Sequence, residues 1–158
     1  MKRGAIIFLQ ALILLTGIAV LAFMIRIPLM EGRAKDLDLF HIYTDPFILY
    51  GYASSIVFFI GLYKLFRLLG YIRLHKLYSP EAAGVLKSIK YCAILLSVLI
   101  AGAALFILVS HPKEDDPAGF LALCIVTASV ALVVAVLAAK SGKKIQETIM
   151  MQQGKKLL

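Results

Sequence analysis

The stretch YGYASSIVFFIGLYKLFRLLGYIRLHKLYSPEAAGVLKSIKYCA, Tyr50 to Ala93, carries one apolar run into a basic turn and a second apolar run out of it. No charge falls between Tyr50 and Tyr63. Beyond that point Lys64, Arg67, Tyr71 and His75 recur at i, i+3, i+7 and i+11, so one helical face collects them, while Leu62, Phe66 and Leu69 share another. The pattern is that of a helix leaving lipid, expected to continue to about Lys76. Ser79-Pro80-Glu81 then starts a new helix, with Ser as N-cap and Pro at the first helical position, where its missing N–H costs nothing. A helix from Pro80 to Val109 would be about 45 Å long at 1.5 Å per residue, against a hydrocarbon core of ~30 Å. The two helices are therefore expected to protrude as a basic hairpin over residues 64–90.

Working outward, the composition agrees with a lipid environment. Of the 158 residues 61% are hydrophobic and only 16% charged, and the mean hydropathy is +0.91; soluble domains carry about a quarter charged residues. The polar segments between apolar runs are too short for a second soluble domain, so a single membrane domain over 1–158 is expected. Gly4 to Ile25 is uncharged and long enough to span. A cleaved signal peptide would have a shorter apolar region of ~7–15 residues and a small-x-small site, so the run is read as a transmembrane helix, closed by Pro28. Asp45-Pro46 and Asp116-Pro117 repeat the cap-and-proline start. The expectation is an all-α, up-down bundle of four transmembrane helices at about 5–27, 46–76, 80–109 and 117–140, with a basic tail over 141–158. In that tail Ile145, Ile149 and Met150 recur at helical spacing, so it either prolongs the fourth helix or lies on the membrane surface.

The net charge of +8 is sorted along the chain and forms no single aromatic-interleaved patch, which speaks against direct nucleic-acid binding. Thirteen of the 17 Lys and Arg lie in the amino terminus, the 64–90 segment and the tail, with Glu81 and Glu147 the acids there. Arg26, Arg33, Lys35 and Lys113 lie on the other side with the remaining seven acids. The positive-inside rule then places both termini in the cytoplasm.

Chemistry-bearing patterns are sparse. The spans hold no Asp or Glu; their polar side chains are Gln10, Thr16, Ser54, Ser55, Ser97, Thr127 and Ser129. Absence of intramembrane ionisable groups argues against a coupled transporter, and no paired redox cysteines, HExxH or clustered carboxylates suggest an enzyme or a cofactor. His41 and His111 stand near Asp36, Asp38, Asp45, Glu114, Asp115 and Asp116, types that bind divalent cations, but the spacing matches no ligand motif and no metal is assigned. Ala93, Ser97 and Ala101, and again Ala131, Ala135 and Ala139, place small residues every fourth position, for helix packing within the bundle or in a homo-oligomer. The bases Lys64, Arg67, Arg73, Lys76, Lys87 and Lys90 contact either the lipid bilayer or a cytosolic protein.

The chain resembles an uncharacterised bacterial membrane family, domain of unknown function 2975. The resemblance rests on Phe58-Phe59 with Leu68-Leu69, Tyr78-Ser79, Leu86-Lys87-Ser88-Ile89-Lys90-Tyr91-Cys92, and Asp115-Asp116-Pro117-Ala118-Gly119. It implies a four-helix protein of the bacterial inner membrane, often encoded beside a small helix-turn-helix regulator. The end of this chain, Gln152-Gln153-Gly154-Lys155-Lys156-Leu157-Leu158, departs from the acidic ending usual in that family. The expected function is a non-enzymatic membrane anchor or sensor whose cytosolic hairpin binds such a regulator. The alternative is a small passive channel or transporter subunit acting as an oligomer.

Overall fold

The computed structural model describes residues 3–30, 46–110 and 118–156. Among them every element is a helix: α1, Arg3–Met30; α2, Pro46–Arg73; α3, Pro80–Ser110; and α4, Ala118–Lys156. Each is long and apolar enough to cross a membrane. Helices suit these sequences because hydrocarbon offers no partner for backbone N–H and C=O groups, which must then be satisfied within the segment.

Packing follows chain order. The contact of α3 with α4 is the most extensive, that of α2 with α3 is smaller, and α1 is held mainly and lightly through α2. Since lipid is as apolar as the side chains, these contacts draw on close approach and interhelical hydrogen bonds. Between α3 and α4, Ala93, Ser97, Ala131, Ala135 and Ala138 are buried. A Cβ on Gly142 would stand 3.8 Å from Leu86 Cβ. Ser97 Oγ donates to the Ala93 carbonyl at 2.9 Å and reaches the Ala128 carbonyl of α4 at 3.5 Å. Between α2 and α3, Tyr50 Oη donates to the Leu99 carbonyl at 2.7 Å. Gly102 makes room for that hydroxyl, since a Cβ there would lie 2.8 Å from Tyr50 Oη.

These contacts fix an antiparallel register. Gly61 lies by Cys92 and Tyr50 by Leu99, while Leu86 faces Gly142 and Ser97 faces Ala128. Lys64 of α2 is therefore level with Lys90 of α3, and Arg67 with Lys87 and with Lys140 of α4. Charge begins at one height in three helices. In α3 the uncharged span is Tyr91–Val109, about 28 Å at 1.5 Å per residue, which matches a hydrocarbon core. The first α is staggered against this frame. Gly17 sits against Phe59 and Leu62 of α2, so Gln10 falls level with Arg67 and Ile6 level with Tyr71.

Three boundaries differ from the sequence expectation. The first helix continues to Met30, with Pro28 in its last turn, where a missing N–H forfeits a single hydrogen bond. The second stops at Arg73 rather than Lys76, closed by a left-handed residue at His75. The fourth does not end at 140 but runs unbroken for 39 residues to Lys156, so the basic tail is largely part of α4. Its last turns bury Ile145 against the other helices, and this tertiary contact carries the helix past the lipid boundary.

Gly102→Ala is expected to push Tyr50 off the Leu99 carbonyl and to cost about 1 kcal/mol, the usual size of a hydrogen bond within a bundle. Tyr50→Phe should cost the same, and the double variant no more than either single one, measured as thermal stability in detergent.

Candidate functional site

The basic end is built from a turn and a plug. Helix α2 is closed by a left-handed stop at His75, φ 56°. The N–H of Lys76 donates to the Tyr71 carbonyl at 2.9 Å, and that of His75 to the Ile72 carbonyl at 3.2 Å. This pair of bonds is the Schellman closure, usually made with glycine at the left-handed position. Histidine is among the residues that tolerate this region better than most, though it signals a stop less plainly than glycine. At the start of α3 the Ser79 hydroxyl accepts the N–H of Ala82 at 3.2 Å as N-cap. Ahead of the Tyr91–Val109 span, hydrogen bonding from Ser79 and from its own backbone N–H holds the Glu81 carboxyl below its ordinary value, helped by the charge of Lys76.

Beneath the turn lies the best-packed core among the described residues: Leu68 of α2, Ala83, Val85, Leu86 and Ile89 of α3, and Ala138 and Ile145 of α4. Leu65, Tyr71, Leu77 and Ile149 close around it. This plug lies at the heights where charge has begun, so ordinary burial from water acts on it, with about 25 cal/mol per Å² of apolar area. It makes the protruding ends of α2, α3 and α4 one rigid surface.

The six bases singled out from sequence surround the plug. Arg67, Arg73, Lys76 and Lys87 are exposed, and Lys64 and Lys90 half-buried. The Arg67 guanidinium carbon lies 5.8 Å from the centroid of the Tyr71 ring, and Lys90 Nζ 5.6 Å from that of Tyr91. Sequence reasoning placed Lys140 at the end of the fourth helix and left Lys143 and Lys144 in a tail that either prolonged it or lay on the membrane surface; α4 runs on and brings all three, exposed, alongside the hairpin. The helical spacing of Ile145 and Ile149 had pointed to that prolongation, and their packing against the plug decides it. Of the packing residues, Ala93, Ser97, Ala131 and Ala135 are buried, Ala139 is half-buried and Ala101 exposed. Among the described residues no three His, Cys, Asp or Glu side chains gather as a metal would require. His41, His111 and the acids beside them lie outside the described residues.

Four apolar helices, three of them (α2, α3 and α4) packed at one end around a basic plug, define a multi-pass membrane protein. The sequence places it more closely. The family described as proteins of unknown function, DUF2975, matches residues 28–152. The chain is also 35% identical over 153 residues to the "uncharacterized membrane protein YoaS" of Bacillus subtilis (strain 168), covering 94% of each. It belongs to the DUF2975 family. No solved structure matches it.

Contact between the tail and the plug is open to test. Ile145 is 5% exposed and Met151 68%. Ile145→Ala should lower stability by about 2–4 kcal/mol, whereas Met151→Ala should leave it within about 0.5 kcal/mol. Equal melting temperatures for the two variants in detergent would contradict this packing.

Proposed function

We propose that this protein is a non-enzymatic anchor or sensor of the bacterial inner membrane, with both termini in the cytoplasm and the basic end as a docking surface for a small regulator. The observation that carries the reading is the convergence of bases from three helices on one packed plug. Arg73 and Lys76 end α2, Lys87 lies on α3, and Lys140, Lys143 and Lys144 lie on α4, all exposed. A rigid surface of one sign steers a partner of the opposite sign. The partner's docking face is therefore acidic; that it is a helix-turn-helix protein is the expectation supplied by family resemblance. Bases near an anionic leaflet also gain ~1 kcal/mol each from lipid, so contact with the bilayer and with the regulator share this surface.

Support for a binding role over a passive channel comes from the span hydroxyls. Thr16, Ser54, Ser55, Ser97, Thr127 and Ser129 each donate to a carbonyl of their own helix. Polar groups satisfied in this way leave little to line a water-filled path.

Two experiments test the proposal. With Cys92 and Cys124 replaced by Ala, Lys113→Cys should react with a membrane-impermeant maleimide in intact cells; reaction only after cell lysis would reverse the orientation. The double change Lys87→Gln with Lys90→Gln should leave insertion intact and reduce capture of the regulator about three- to tenfold at low salt, with the difference fading at high salt. Undiminished capture at low salt would count against docking at this surface.

A further inference from the structure

The hairpin does not account for the seam between α1 and α2. There the helices part on one side and leave an almost wholly apolar groove of about 480 Å³, within the range of ligand sites. Ile13, Gly17 and Leu21 form one wall, and Phe59, Tyr63 and Phe66 the other. The groove extends over about 12 Å of helix at 1.5 Å per residue and runs parallel to the helix axes. An acyl chain in a bilayer already lies along that direction.

Just beyond the inner end of the groove, two polar side chains follow its lining residues along α1 and α2. Arg67 is one turn beyond Tyr63, on the same face of α2, and is exposed. Its guanidinium rests over the Tyr71 ring, which orients it, and it has no ion pair or hydrogen bond among the described residues. A planar guanidinium held by an aromatic face, with its donors uncommitted, is suited to a phosphate oxygen pair. On α1, Gln10 lies two turns from Gly17 on the stripe that faces α2, and the register puts it level with Arg67. Its amide, half-buried, makes no hydrogen bond among the described residues. At that height the amide is placed to donate to an ester or phosphate oxygen of a lipid.

We propose that the α1–α2 seam is a binding site for one anionic phospholipid of the inner leaflet, with an acyl chain in the groove, the phosphate on Arg67 and the glycerol ester region on Gln10. Charge complementarity selects the occupant: the mouth carries a cation, and its height is that at which charge begins in α2, α3 and α4. The site is separate from regulator docking and does not depend on it.

Delipidated protein in mild detergent, titrated with phosphatidylglycerol or phosphatidylcholine of matched chains and followed by native mass spectrometry, tests the assignment. The expected result is a single retained phosphatidylglycerol, bound about tenfold more tightly than phosphatidylcholine. Arg67→Gln should bring the two lipids to within about twofold, while Arg26→Gln, exposed at the opposite end of α1, should leave the preference in place. Gln10→Leu should weaken retention of both lipids about threefold, and Gly17→Leu, which fills the groove, more than that. Circular dichroism identifies a Gly17→Leu protein that fails to fold, in which case Arg67→Gln and Gln10→Leu decide. Equal retention of the two lipids by the unaltered protein, or an Arg67→Gln protein with undiminished preference, would overturn the proposal.

Discussion

The height at which charge begins organises this molecule. Lys64, Lys90 and Lys140 sit on three different helices, yet the side-chain contacts that fix the register bring them to within about a turn of one another. A helix that slid by two turns would draw a cation into hydrocarbon or push apolar side chains into water, and either displacement costs several kcal/mol. Register and the height of the basic end therefore follow from one shared boundary. The first helix escapes it because its nearest charges lie at its ends, and its apolar run extends past that height toward the basic end.

Two different physical regimes hold the protein together. Within lipid, where apolar burial gives little, α3 and α4 rely on alanines and a buried serine that let the backbones approach, and α2 is tied to α3 by the Tyr50 hydroxyl. Past the boundary, Leu68, Leu86, Ile89 and Ile145 form a small aqueous-type core. The same helices pass through both regimes without a break. The basic end is consequently an extension of the membrane domain, held in place by side chains on all three helices.

Much of this was legible in the residues. The four helices could be read from uncharged runs bounded by Asp-Pro and Ser-Pro pairs, since hydropathy and capping are local signals. The starts of α2 and α3 fell on Pro46 and Pro80 as the cap rule implies. What escaped was tertiary. His75 closes α2 in a conformation that glycine ordinarily announces, so the helix looked three residues longer. Nothing local distinguishes Lys143 on a docked helix from Lys143 on a surface tail; only the burial of Ile145 decides it. The groove between α1 and α2 is likewise invisible in one dimension, because it depends on how far two apolar helices part.

Continuity of α4 has a mechanical consequence. Thirty-nine residues of unbroken helix make a rod of about 58 Å, with no proline or turn between the part that crosses lipid and the part that flanks the hairpin. A rod of this kind does not bend locally to absorb a load, so a tilt of about 10° about the seam near Ala135, shared by the α2 and α3 ends locked to it at the plug, swings the far tip, some 32 Å away, by about 5 Å. Displacement in the bilayer and displacement at the basic surface are two ends of one lever, with the small-residue seam of α3 and α4 as its fulcrum.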